Sequence, residues 1–187
     1  MQGYTDCLQG ARMGGGESLP SCALFIGGLP ARLFDNHERM GYMSKEPKIK
    51  PIVIVGAGGM GRDTQWLIER INEEEPTYEI LGYIDDGIQQ GSIIDGYPIL
   101  GGMKYLEEYD KEQKLAVAFA IGNAKVRKKL VLKCLPNPNL WYPNLIDPSV
   151  ITSQRVHLGQ GNIICTSVIM TTNIEIGNFN LICNRSI

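Results

Sequence analysis

The segment Gly56-Ala57-Gly58-Gly59-Met60-Gly61 has the plainest chemical logic in this sequence. Its spaced glycines permit a tight turn and let backbone N–H groups approach a pyrophosphate, and a helix that follows aims its dipole at the anion. Asp85, at the end of the next strand, sets a carboxylate where ribose hydroxyls would bind. Taken alone, this pattern points to an NAD(P)-binding oxidoreductase domain, with a tight turn that holds no ligand as the lesser alternative. The sequence has two histidines, His37 and His157, so no Ser-His-acid arrangement can be built from it. His157 directly precedes an inward-facing repeat position and is expected to point outward at a corner. The five cysteines, Cys7, Cys22, Cys134, Cys165 and Cys183, form no CxxC pair. They therefore suggest neither a disulfide framework nor a zinc site, and a reducing cytoplasm suits them best.

Alternating strands and helices must position the glycine-rich turn. Pro51 to Val55 is a β-branched run suited to a strand buried on both faces, and it leads into the turn. A helix follows, with Trp66, Leu67, Ile68 and Ile71 as its apolar side and Gln65, Glu69 and Arg70 as its polar side. Tyr78 to Ile84 reads as a strand ending in Asp85-Asp86, and Leu115 to Ile121 as a later strand ending in Gly122-Asn123. A helix around Val126 to Leu135 completes the series, which implies a Rossmann-like parallel sheet with helices on its faces.

From Ile146 the period changes to six: IDPSVI, TSQRVH, LGQGNI, ICTSVI, MTTNIE, IGNFNL, ICNRSI. The first positions are Ile146, Thr152, Leu158, Ile164, Met170, Ile176 and Ile182, apolar in all but one case. Leu158-Gly159-Gln160-Gly161-Asn162 is echoed eighteen residues later by Ile176-Gly177-Asn178-Phe179-Asn180. Six residues per side and three sides per coil describe a triangular β-solenoid whose first-position side chains stack inside.

Bulk properties narrow the partners. With 43% hydrophobic and 20% charged residues the composition is that of a soluble globular protein. A formal net charge of -2 gives no electrostatic reason to expect nucleic acid or an anionic membrane. The basic clusters Lys45 to Lys50 and Lys125 to Lys129 read as solvated faces, and no apolar stretch is long enough to span a bilayer. Residues 1–42 carry no sustained periodicity and Met43 resembles a translation start, so they are expected to be an extension, disordered or non-native. Residues 43–140 then form the Rossmann-like domain, and 141–187 an incomplete hexapeptide-repeat domain.

One order of segments is more specific than any segment alone. The glycine-rich turn, the strand ending in Asp85-Asp86, Ala120-Ile121-Gly122-Asn123 with Val126-Arg127-Lys128-Lys129-Leu130, then Asn144-Leu145-Ile146-Asp147-Pro148 and hexads follow one another. This order resembles the hexapeptide-repeat sugar O-/N-acyltransferases of the sialic-acid O-acetyltransferase and UDP-amino-sugar N-acetyltransferase type. The resemblance implies a left-handed parallel β-helix, acetyl-CoA as co-substrate, a nucleotide-sugar substrate and a homotrimer; the charge and the cysteine spacing read above lead to the expectation of no nucleic acid and no metal. It also implies that Gly58, Gly59 and Met60 contact the diphosphate or sugar, that Asp85 and Asp86 bind the nucleoside end, and that Gly122, Asn123 and Lys125 close the pocket. Many relatives have His where this chain has Met60. In relatives the catalytic His-acid pair follows a segment like Leu181 to Ile187, so this chain is expected to stop before it and to contain no catalytic residue. A non-catalytic sugar-nucleotide-binding protein is the further alternative beside the NAD(P) reading.

Overall fold

The computed structural model describes residues 49–184. The expected extension over 1–42, His37, Cys7 and Cys22 lie outside them. The first part is a three-layer α/β unit. It contains β1 (Lys50–Val55), α1 (Gly59–Glu74), β2 (Tyr78–Ile84), β3 (Ile93–Ile94), β4 (Tyr97–Gly101), α2 (Lys104–Glu107), β5 (Leu115–Phe119), α3 (Ala124–Cys134) and β6 (Leu140–Trp141). The sheet order is β3-β4-β2-β1-β5-β6, parallel apart from the β3–β4 pair. The chain builds one side of β1 first and then crosses to the other, so the carboxyl end of β1 lies at the switch point where open α/β sheets bind ligands.

The alternation of β1 and β5 sorts the core. Val53, Val55, Leu115, Val117 and Phe119 face α2 and α3, where Leu106, Val131 and Cys134 meet them. Ile52, Ile54, Ala116 and Ala118 face α1 and pack with Leu67 and Ile68. The helix departs from its expected faces at two residues. Trp66 is 50% exposed, with the Arg70 guanidinium 5.3 Å from its ring centroid. Gln65 is buried instead, because its amide is satisfied: it donates to Glu69 at 2.8 Å and accepts from the Tyr83 hydroxyl. β5 stops at Phe119, two residues earlier than the sequence suggests, once Ala120 N–H has bonded to Val55 at 2.9 Å.

The second part is a triangular coil built from β7 (Leu145–Ile146), β8 (Ile151–Thr152), β9 (Val156–Leu158), β10 (Ile163–Ile164), β11 (Ile169–Met170), β12 (Ile174–Ile176) and β13 (Leu181–Ile182). Strands eighteen residues apart pair in parallel, giving the three sides β7-β10-β13, β8-β11 and β9-β12. β6 straddles the boundary drawn at 140, because Leu140 pairs with Leu115 on the α/β sheet.

Among the described residues the first and the fifth positions of the hexads turn inward, Thr152 excepted. Ile146, Leu158, Ile164, Met170, Ile176 and Ile182 share one cluster with Val150, Val156, Val168 and Ile174. Where the fifth position is asparagine, the side chains form a ladder. Asn144 Oδ1 accepts from the N–H and Nδ2 of Asn162, and Asn162 Oδ1 accepts from those of Asn180, all within 3.0 Å. Thr152, a first position in the sequence pattern, is exposed. The fourth positions Gly161, Ser167, Asn173 and Phe179 have φ between 55° and 69°, so each successive corner turns through the left-handed region.

Candidate functional site

The four glycines of the Gly-rich turn divide the work. Gly56 has φ 96° and lies against Ala120 and Ile121, so it makes the turn itself. Gly61 brings α1 onto the strand: a Cβ there would sit 1.9 Å from the Gly56 carbonyl oxygen. Gly58 and Gly59 have nothing within 4 Å of an added Cβ and are exposed, so their backbone faces open space. Gly58 is the N-cap residue of α1, which begins without a side-chain cap and without an acidic residue in its first turn. Backbone N–H groups at a positive helix end, with no acidic side chain in the helix's own first turn, suit an anion.

The flanking strands complete a crevice at the same sheet edge. Asp85 braces the turn: Oδ2 accepts from Ala57 N–H at 3.0 Å, and Oδ1 from Gly87 N–H at 2.8 Å. Its assigned role in holding a nucleoside therefore rests on the lone pairs these two bonds leave. Asp86 accepts from Met103 N–H at 2.9 Å at the start of α2. Gly122, with open space at its Cα, follows the end of β5, and Asn123 Oδ1 caps α3 by accepting from Lys125 and Val126 N–H at 3.0 and 3.2 Å. Lys125 is exposed in the first turn of α3. Gly58, Gly59, Met60, Asp85 and Gly122 thus lie at the carboxyl edge of β1, β2 and β5 and the start of α1, with Asn123 and Lys125 on its α3 side.

Sequence reasoning missed the residue that ties this loop to the coil. Arg127 donates from Nε to the Phe179 carbonyl at 3.0 Å and from Nη1 to the carbonyls of Ile121 and Gly122. The Phe179 ring packs edge-on against Tyr142 and Phe119, with centroids 5.1 and 5.9 Å away, and covers Gly161. Arg127 lay within a basic run, where only its half-buried position distinguishes it from its lysine neighbours.

A second cleft lies between α1 and the coil. Met60, Asp63, Trp66, Leu67, Asp147, Cys165, Thr166, Cys183 and Asn184 line about 120 Å³ of space. Thr166 Oγ1 donates to Asn184 Oδ1 at 3.0 Å from one coil to the next. Burial, then the neighbouring Cys183, Asp63 and Asp147, push the Cys165 thiol up to about 11, which leaves it protonated at neutral pH. At the far end of the cleft Asp147, fully buried, takes a bidentate pair from Arg70 at 2.6 and 3.2 Å. Burial raises the Asp147 carboxyl, but the Arg70 bond and the Ser149 hydroxyl and N–H outweigh it and hold the group below its ordinary value. His157 is exposed in the middle of β9, opposite Glu175 on β12, rather than at a corner. Among the described residues no group of three or more His, Cys, Asp or Glu could hold a metal.

Residues 51–134 match the family model described as the PglD N-terminal domain. The acetyltransferase domain of PglB from Neisseria gonorrhoeae FA1090, in complex with acetyl coenzyme A, superposes with a TM-score of 0.64 at 23% identity. The match covers 73% of this chain and 63% of that one. PerB from Caulobacter crescentus, in complex with CoA and GDP-perosamine, superposes with a TM-score of 0.60 at 27% identity, covering 73% and 61% of the two chains. This chain therefore spans less than two thirds of the length of either structure. No curated protein sequence matches it.

Proposed function

We propose, for a chain that belongs to the hexapeptide-repeat sugar acyltransferases with a PglD-type N-terminal domain, that its α/β unit holds a nucleotide-linked sugar for acetylation by acetyl-CoA. The observation that carries this reading is the open, uncapped start of α1 at Gly58 and Gly59, set between the ends of β2 and β5. The N–H groups of Gly58, Gly59 and Met60 hold the diphosphate, and Asp85 and Asp86 receive hydroxyl donors of the nucleoside. Gly122, Asn123 and Lys125 close the crevice on the other side. This unit occupies 43–140, with β6 straddling its end, and 141–187 form the acyltransferase coils. The sugar then extends past Met60 toward the cleft shared with Cys165 and Cys183. Acetyl-CoA, when bound, would supply the acyl group as a thioester: the acceptor amine or hydroxyl attacks its carbonyl and loses a proton, the C–S bond breaks and coenzyme A leaves as the thiol. We assign acceptor binding to these residues and leave the base unassigned: the Cys165 thiol stays protonated, and His157 stands on another side of the coil. We place the protein in the cytoplasm; among the described residues no helix is long and apolar enough to cross a membrane.

The side faces of the coil support a trimer. Leu145, Ile163 and Leu181 point out of β7-β10-β13 and are covered by the α/β unit. His157 and Glu175 point out of β9-β12 and are exposed. Ile151 and Ile169 point out of β8-β11 at 64% and 38% exposure, an apolar side that suits a second copy of the chain.

The test is calorimetric titration of the 187-residue chain and of Gly59→Glu with UDP-sugars, GDP-sugars, CMP-sialic acid and NAD. An acidic residue in the first helical turn stabilises the fold by about 0.3–1 kcal/mol, yet it repels a bound diphosphate. The expected outcome is saturable binding of a sugar nucleotide by the parent and at least about tenfold weaker binding by the variant, whose melting temperature is unchanged or raised. Binding of NAD alone overturns the reading.

A further inference from the structure

Helix α3 differs in charge from the protein that carries it. Its sequence, AKVRKKLVLKC, holds Lys125, Arg127, Lys128, Lys129 and Lys133 and no acidic residue, in a chain of net charge -2. Arg127 turns inward to backbone carbonyls. Lys125, Lys128 and Lys129 are exposed, and Lys133 reaches Glu107 at 3.6 Å. Three large apolar side chains are exposed with them: Val126 at 45%, Leu132 at 57% and Leu135, just past the helix, at 44%. At roughly 100° per residue, Leu135, Lys128, Leu132, Lys125, Lys129, Lys133 and Val126 follow one another around one half of the helix. Leu130, Cys134, Arg127 and Val131 occupy the other half and face the protein. The outer half of α3 is therefore entirely basic or apolar.

Charge alone would suit any polyanion, but a soluble polyanion gives no reason to keep two leucines and a valine in water among the lysines. An anionic bilayer accounts for both: lysines sit at the level of lipid phosphates, and short apolar side chains enter the headgroup–acyl boundary. The groove next to this face, lined by Lys128, Leu132, Leu135, Gln160 and Asn178, adds hydrogen-bonding groups beside the leucines. We propose that the outer half of α3 is a peripheral docking surface for an anionic phospholipid bilayer. It lies on the bilayer surface without spanning it, and Lys125 is the one residue of this face that the sugar-nucleotide reading also uses.

The test is flotation of the 187-residue chain with phosphatidylcholine vesicles that contain or lack phosphatidylglycerol. The expected result is recovery with the anionic vesicles only. Lys128→Glu with Lys129→Glu should weaken it by more than about tenfold. Leu132→Ser with Leu135→Ser should weaken vesicle binding too, while leaving retention on heparin unchanged. All four side chains are exposed, so circular-dichroism melts should stay unchanged; Lys128→Gln with Lys129→Gln gives the same answer without charge reversal. Failure to float with anionic vesicles, equal recovery with neutral ones, or recovery indifferent to either pair overturns the proposal. Heparin retention without vesicle binding identifies a surface for soluble polyanions and overturns it as well.

Discussion

At the residue scale, three glycines of one short turn carry three different constraints, and substitutions separate them. Gly61→Ala drives a methyl group into the backbone oxygen of Gly56, and neither backbone can move without opening the contact between helix and strand. A loss of about 2–3 kcal/mol in stability is expected, measured by urea denaturation. Gly58→Ala is the contrasting case. Gly58 has φ -77°, where alanine is unstrained, and its Cα faces open space. Stability should shift by no more than about 0.5 kcal/mol while sugar-nucleotide affinity falls, because the methyl group occupies the ligand's approach. Equal destabilisation by the two substitutions would contradict this division. The turn and the placement of Asp85 were legible because glycine spacing and strand ends are written locally. The two bonds from Asp85 to Ala57 and Gly87 were not, since they depend on how β2 lies beside β1. They also make Asp85→Ala a poor probe of ligand contact, because it would loosen the turn whether or not the carboxylate touches the ligand.

At the scale of elements, the six-residue period was legible because each coil repeats the same inward demand on its first positions. The fifth positions were harder to read. Asn162 looks like a surface residue, yet it is fully buried, because Asn144 below it, Asn180 above it and the Gly177 carbonyl satisfy its amide. The joint between α1 and the first coil was not legible at all: Arg70 and Asp147 are 77 positions apart. Its energetics have a definite sign. Asp147 titrates below its ordinary value in the folded protein, so its contribution is complete above about pH 4 and fades as pH falls through the folded value. Arg70→Met removes the main group that offsets burial of the carboxylate. The melting temperature of the variant should fall below that of the parent at neutral pH, and the gap should close as pH drops below about 4. A gap that stays constant across that range would show that Arg70 acts through packing on Trp66 rather than through Asp147.

At the scale of the whole molecule, the coil is a prism whose three sides meet different surroundings, and the sixth position of each hexad records which. Leu145, Ile163 and Leu181 close against the α/β unit, His157 and Glu175 meet water, and Ile151 and Ile169 remain uncovered. The sequence continues the last series at Ile187, outside the described residues. Sequence alone shows apolar residues at sixth positions but not which of them the protein's own α/β unit covers. That needs the docking of α1 onto β7, which the distant Arg70–Asp147 pair secures, while the Phe179 corner joins the coil to β5 and α3. A charge on the uncovered side separates assembly from folding. Ile169→Lys places an ammonium where 38% of the residue already meets solvent, so a single chain accommodates it with little strain. Across an interface between copies the same ammonium would be buried without a partner. Sedimentation velocity should therefore show the parent as an oligomer and the variant as a folded monomer with a nearly unchanged circular-dichroism spectrum. His157→Lys, on the polar side, should leave the assembly intact. If the two variants sediment alike, the apolar side is not the contact between copies.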